Sequence, residues 1–366
     1  MSDDVPTTGS GAPEGSAESS TPDWPDVRLH VVTGKGGTGK TTVAAALALT
    51  LASTGRKVLV AEVEGRQGIS QALDVPPLAF EERPIMKVSG GGEVWGMAVD
   101  AKAALIEYLA IFYHLGRAGR ALEKVGAIDF ATTIAPGVRD VLLIGKVYEA
   151  VRRRGARPRP DGGIDWQYDA VVLDAPPTGR VGRFLGVNRE VADLAKVGPI
   201  RAQADSITAM LRSGSSAVHI VTLLEEMPVQ ETVDAVAELR AAQLPVGGII
   251  VNQARDPLLD PKELSALAAG HVDRAGVGAA LRRSGAYPGD DGSGHATDRD
   301  DWSESCLDAL LAEGGAHAER MRLEDEQFAV VESLGRPVYV LPPLRGGVDA
   351  DGVRILAQEL ADQGRW

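Results

Sequence analysis

Residues 34–42 of the 366-residue chain, GKGGTGKTT, concentrate glycines, hydroxyls and two lysines in one short stretch. Glycines at 34, 36, 37 and 39 let successive backbone N–H groups turn inward around an anion, because no Cβ obstructs that backbone shape. A helix opening at Lys40 adds the partial positive charge of its N-terminus. Lys40 is placed to reach the β- and γ-phosphates of a nucleotide, and the Thr41 hydroxyl to bind Mg2+. The candidate phosphate cradle is Gly34, Gly36, Gly37, Thr38, Gly39, Lys40, Thr41 and Thr42. Lys35 is the unusual member, since an ordinary phosphate loop needs no lysine there.

Such a loop does not hydrolyse a nucleotide alone. It needs an acid to hold the metal and a group to orient water. Asp174 ends the apolar run 168–173 (YDAVVL) and is followed by APPTG. A carboxylate at the C-terminal edge of a buried parallel strand faces bound phosphates, so Asp174 is the candidate Mg2+ holder, directly or through water. A helix N-cap is the alternative reading. Glu62 and Glu64 stand two apart at the end of the run that begins at Lys57, and so point to one side. Glu64 is the candidate for orienting or deprotonating the attacking water, and Glu62 for supporting either Mg2+ or the loop. Two solvated strand-end acids are the alternative. Asn252, next to Gln253, follows an apolar strand, and its amide can both donate to and accept from an adenine edge. No Asn-Lys-x-Asp guanine reader is present, which favours ATP over GTP. The candidate catalytic set is thus Lys35, Lys40, Glu64 and Asp174, with Thr41, Glu62 and Asp174 around the metal.

Positioning these groups requires a regular scaffold. Apolar runs at 28–33, 57–63, 94–99, 168–173, 217–222, 246–251 and 337–341 alternate with helical periodicity at 40–54, 101–115, 138–154, 229–243 and 304–334. The alternation predicts an α/β fold with a mostly parallel sheet flanked by helices, in the P-loop class with the deviant, two-lysine Walker A loop. One domain is expected over 27–366, with a helical segment at about 100–155. Residues 1–26 carry six acids and no base and read as a disordered acidic tail. The basic stretch 152–163 reads as a surface loop, and 285–301 (GAYPGDDGSGHATDRDD) as a flexible acidic loop.

Composition narrows the function. The net charge of −13 argues against a nucleic-acid partner. The single cysteine, Cys306, supports neither a disulfide framework nor a four-cysteine zinc site, and a dimer-bridging iron–sulfur cluster needs two cysteines per chain. No zinc or cluster is expected, and a cytoplasmic setting is. No apolar run reaches the ~18 residues of a spanning helix. The first residues lack the basic start and apolar stretch of a signal peptide.

Taken together over residues 28–348, the motifs resemble the ArsA/Get family of ATPases within the wider MinD/ParA-like group. KGGTGKTT at 35–42 is similar to the family's phosphate loop, and VVLDAPPTGRVGRFL at 171–185 to its switch II. APGVRDVLL at 135–143, ETVDAVAEL at 231–239, IIVNQ at 249–253 and VLPPLRGGV at 340–348 resemble further family blocks. EVEGRQGI at 62–69 and MPVQET at 227–232 are similar to the actinobacterial single-domain members. The resemblance implies Mg2+-dependent ATP hydrolysis in a dimer, either a homodimer or a heterodimer with a paralogue. Lys35 then crosses to the partner's ATP, and Asn252, Leu341 and Pro342 line the adenine. It also implies a protein or membrane-protein cargo and a peripheral position at the membrane.

Departures from the family pattern limit the analogy. Glu64 stands where switch I usually has Asp, and Arg180 where the family has His. No CxxC for a dimer zinc and no cysteine triad for arsenite exist. One phosphate loop is present rather than a fused pair, and 198–217 is short for an insert that shields membrane anchors. The leading expectation is a dimeric ATP-driven switch, with the helix around Leu105, Leu109, Phe112 and Leu115 serving as either partner surface or ordinary core. An ATPase subunit of an anion pump and a nucleotide-binding scaffold with little turnover are the alternatives.

Overall fold

Alternate residues of the central strands feed opposite cores. In the strand Lys57–Val63 (β2), Leu59, Ala61 and Val63 pack on one face of the sheet while Val58 and Val60 pack on the other. In the strand Ala170–Asp174 (β5), Val171 and Leu173 divide from Ala170 and Val172 in the same way. A strand covered on both faces must be apolar throughout, which is why these segments read as unbroken hydrophobic runs. The computed structural model describes residues 23–63, 65, 67–113, 136–155, 165–186, 199–284, 296–364 and 366.

The other strands are Leu29–Gly34 (β1), Arg83–Lys87 (β3), Glu93–Val99 (β4), Ser216–Thr222 (β6), Val246–Val251 (β7) and Val338–Val340 (β8). They form one eight-stranded sheet in the order β3-β4-β2-β5-β1-β6-β7-β8. Every pairing is parallel except β3 with β4. All seven apolar runs form strands, so the α/β expectation holds. The eighth strand, β3, escaped the pattern because it is a sheet edge. It carries Arg83, Pro84 and Lys87, is largely exposed, and shifts register between Pro84 and Met86. Proline, charge and irregularity are the usual features of an edge that does not recruit further strands.

The helices are Lys40–Ser53 (α1), Gly68–Ala72 (α2), Ala101–Tyr113 (α3), Pro136–Arg152 (α4), Thr178–Leu185 (α5), Pro199–Leu211 (α6), Glu226–Ala241 (α7), Pro261–Ala268 (α8), Arg274–Ser284 (α9), Ala296–Ser333 (α10) and Ala350–Gln363 (α11). Helix α1 lacks a polar face because it is enclosed by the sheet and α11. Every residue from Val43 to Ala52 is buried, and Thr50 donates its hydroxyl to Ala357 of α11 at 2.9 Å. The acidic loop expected over 285–301 ends sooner than its composition suggested, since α10 begins at Ala296 and residues 285–295 lie outside the described residues. Most of the acidic tail, most of the basic loop and Leu115 lie outside them as well. Leu105 is half-buried and packs against Ala104 and Leu142, and the side chains of Leu109 and Phe112 lie outside the description. Among the described residues no helix is long and apolar enough to cross a membrane.

Two histidines hide in the central strands. His30 of β1 and His219 of β6 are both fully buried, stack with ring centroids 5.3 Å apart, and place Nδ1 of His30 3.1 Å from Nε2 of His219. Gly248 N–H donates to Nδ1 of His219. That assigns the His219 proton to Nε2, from which it is donated to His30. Burial holds the His219 imidazole down to about 3, with Arg336 adding to the effect. Burial, then His219 and Arg56, hold His30 well below its ordinary 6.5. Both rings are neutral in the fold and charge only on unfolding. Their contribution to stability is therefore complete above 6.5 and is lost as pH falls below it. Each costs up to ~1.4 kcal/mol per pH unit, so the pair is expected to remove about 4 kcal/mol between about pH 7 and about pH 5. Urea unfolding across that range checks it, and a flat stability profile would contradict the neutral pair.

Next to the pair, Trp24 donates Nε1–H to the Tyr339 hydroxyl at 3.2 Å, and Tyr339 donates to Asp23 at 2.9 Å. The Trp366 ring lies 4.7 Å from that of Tyr339. Burial and the neighbouring Asp23 hold the Tyr339 phenol above its ordinary value.

Candidate functional site

Parallel register brings the site residues level. Asp174 of β5 lies beside Val32 of β1 on one side and beside Glu62 of β2 on the other. The phosphate loop leaves β1 at Gly34, so the loop, Glu62 and Asp174 share the C-terminal edge of adjacent strands. This is the edge where open parallel sheets bind ligands.

Close approach shapes the loop. A Cβ on Gly34 would lie 2.1 Å from the Val221 carbonyl oxygen, and one on Gly39 would lie 2.3 Å from Nδ2 of Asn252. Gly39 also has φ of 90° as it enters α1, a conformation L side chains rarely adopt. Within the loop the Lys35 carbonyl accepts three bonds, from Thr38 N–H at 3.3 Å, the Thr38 hydroxyl at 3.0 Å and the Lys40 ammonium at 3.0 Å. Lys40 thus lies over the loop that its own helix follows. The Thr41 hydroxyl donates to Oδ2 of Asp174 at 2.6 Å. Gly36 and Gly37 have open space at their Cβ positions. Thr38 is buried and Thr42 is half-buried on the first turn of α1.

The segment after Asp174 is fixed by β1. Ala175 N–H donates to Val32 at 2.9 Å, and the Thr33 hydroxyl donates to the Pro176 carbonyl at 2.7 Å. Two prolines, Pro176 and Pro177, then lead directly into α5 at Thr178. Their restricted φ angles make this a stiff connection.

Glu62 is almost fully buried, and both of its oxygens accept backbone N–H groups, from Gly68 at 3.0 Å and Ile69 at 3.1 Å. It anchors α2, whose Gly68 abuts the Thr41 methyl: a Cβ there would lie 2.8 Å away. Its observed bonds brace α2 and involve neither a metal nor the phosphate loop itself. Glu64 lies outside the described residues. Gln67, beyond it, clasps Leu78 by donating to its carbonyl at 3.0 Å and accepting its N–H at 2.7 Å.

Asn252 is engaged at both ends of its amide. It donates to the Thr38 carbonyl at 2.8 Å and accepts from Gln253 N–H at 3.0 Å. Its visible task is to brace the phosphate loop. Leu341 is fully buried in the core and ties β7 to the following loop, donating N–H to Val251 and accepting from Ala254. Pro342 follows it and is half-buried.

One participant was not foreseen. Glu231 of α7 pairs with the Lys35 ammonium at 3.0 Å and accepts the Thr178 hydroxyl at 3.3 Å. The block ETVDAVAEL at 231–239 marked this helix, but nothing in its periodicity announces a contact with a lysine on a distant loop.

The donor set suits a small hard cation. A hydroxyl and a carboxylate oxygen converge at the start of α1, and oxygen ligands with water and phosphate completing the shell are what Mg2+ prefers. Thr41 and Asp174 are the residues that would hold it.

Comparison with known proteins points to one family of ATPases. A family model described as anion-transporting ATPase matches residues 27–215. The chain is 47% identical to ATPase BagA of Mycobacterium tuberculosis over 365 residues, covering 98% of this chain and 99% of that protein. It is 25% identical to ATPase ARSA1 of Chlamydomonas reinhardtii over 62% of this chain and 35% of that protein. It is 28% identical to ATPase GET3 of Podospora anserina over 44% of this chain and 43% of that protein. The matched family region includes β1, the phosphate loop and the Asp174 edge, and the likeness to BagA runs the whole chain, so this chain belongs to the ArsA family of ATPases.

Proposed function

We propose that this ATPase is Mg2+-dependent and works as a dimer, each subunit lending Lys35 to its partner's ATP, and that the ATP-closed dimer engages a protein or membrane-associated partner. The 2.6 Å contact between Thr41 and Asp174, beside Lys40, carries the reading. It gathers a hydroxyl, a carboxylate and a cation at the mouth of a loop whose N–H groups can hold phosphate. Mg2+ bound there supplies a positive centre for the phosphate oxygens. Lys40 neutralises β- and γ-phosphate charge as a point cation. Glu62 holds α2 against Thr41, Asn252 braces the loop from the base side with Leu341 and Pro342 beside it, and Glu64 orients the attacking water. Lys35 arrives from the partner as charge spreads over the transferring γ-phosphoryl group.

Energising an anion pump is the second reading, supported by the family's description. In both, hydrolysis is coupled to a partner, and the partner differs. The test is direct. The purified chain is expected to release phosphate from ATP with Mg2+ and to stop when the ion is chelated. Its sedimentation mass should double with ATP and Mg2+. A monomeric mass at saturating ATP would sink the dimer and leave a simple ATPase.

A further inference from the structure

We infer that Glu231 restrains Lys35 in its own subunit and releases it when the segment after Asp174 shifts. The inference rests on the reading that Lys35 acts on the partner's ATP. Lys35 and Glu231 are both about one-third exposed, at 30% and 36%, so the pair sits at the rim of the phosphate edge rather than in the core. A lysine free to cross an interface needs no fixed partner at home, yet this one is held at 3.0 Å. The same carboxylate uses its second oxygen on Thr178, the first residue of α5.

That arrangement links three elements through one side chain. Asp174 meets Thr41 of the loop, the stiff Ala175-Pro176-Pro177 connection carries any displacement of Asp174 to Thr178, and Thr178 shares Glu231 with Lys35. When Thr41 and Asp174 turn from one another toward metal and phosphate, Thr178 moves against Glu231 and the carboxylate loses half its support. Farther along α7, Glu238 lies against Gly182 of α5, where a Cβ would stand 1.9 Å from Oε1. Helix α7 therefore contacts α5 at two points a pair of turns apart, and shifts of α5 register along it. Lys35, once released, is drawn to concentrated phosphate charge. Glu231 is a positioning residue that sets how readily the dimer closes.

Glu231→Gln tests this, because the amide keeps the shape and can still accept from Thr178 while losing the charge that holds Lys35. The protein concentration giving half-maximal dimer with ATP and Mg2+, read by sedimentation, is expected to fall about two- to 25-fold, because each of the two subunits loses a partly exposed ion pair. Phosphate release per subunit at sub-saturating protein should rise by the same factor. In a Lys35→Ala background, Glu231→Gln is expected to change neither reading. An unchanged or higher half-point in the single variant overturns the restraint, as does an equal shift in the Lys35→Ala background. If the parent chain never dimerises with ATP, the reading beneath fails and takes the restraint with it, and that result is distinct from a dimer whose half-point ignores Glu231.

Discussion

Lys40→Ala is expected to abolish ATP turnover and to weaken ATP binding steeply. The ammonium is the only side-chain cation on the first turn of α1, and it already lies over the loop, 3.0 Å from the Lys35 carbonyl. Charge-assisted bonds of this kind contribute ~1.5–3 kcal/mol, so ATP affinity should drop roughly 10- to 100-fold. The rate should fall further, by about 10²–10³ or more, because the charge on the phosphates grows toward the transition state. Alanine is a strong helix former and should leave α1 and the fold intact. Phosphate release, nucleotide titration and a melting curve separate these effects. Unchanged turnover would remove the assignment of hydrolysis to this loop.

Lys35→Ala is expected to behave differently: ATP binding persists while turnover falls by about 10³, the lower range for a cation supplied in trans. Two lysines in one short loop repel each other and lose solvation, and something must offset that cost. Within its own subunit the offset is Glu231. Across a dimer it is the partner's ATP. Mixing Lys35→Ala with Lys40→Ala chains distinguishes the two settings. In a mixed dimer the Lys35→Ala chain has an intact binding loop and receives Lys35 from its partner, so one site recovers. Random pairing of equal amounts should restore about a quarter of the parent rate. No recovery, in mixtures shown by mass to contain mixed dimers, would place Lys35 in its own site only. If the natural dimer is formed with a paralogue, the mixing belongs with that chain.

Much of this site was legible because it depends on local order. The loop between an apolar run and a helix, and an aspartate ending another apolar run, are sequence patterns with one geometric outcome once the strands are parallel. Asn252 was legible as a polar group at a strand end, but its bond to Thr38 was not, because pairing of distant loops is a tertiary event. Glu231 was missed for the same reason. The histidines at 30 and 219 sat inside apolar runs, where the strand pattern says only that they are buried and not that they face each other. Composition misjudged the start of α10, whose acidic first turns resemble a loop. Cap signals at Asp260 and Asp349 do announce α8 and α11: Asp260 forms a full capping box with Glu263, and Asp349 accepts from Gly352 N–H. Helix α8, with no buried residue, falls below what periodicity alone resolves, whereas α11 buries Val353, Leu356, Ala357 and Leu360 at helical spacing.

The place of β1 in the strand order bears on how the molecule responds to its nucleotide. β1 is hydrogen-bonded on both sides, to β5 and β6, and cannot detach without opening the middle of the sheet. Whatever binds its loop is therefore thermodynamically linked to unfolding of the whole domain, and ligand occupancy is converted into global melting temperature by mass action. A partner gripping the edge strand β3 in the native state would raise the melting temperature by the same mass action, and would also slow the local openings of that edge. Heat stability thus reports total ligand occupancy in this chain, and amide exchange along β3 distinguishes anything bound at that rim from nucleotide at the loop.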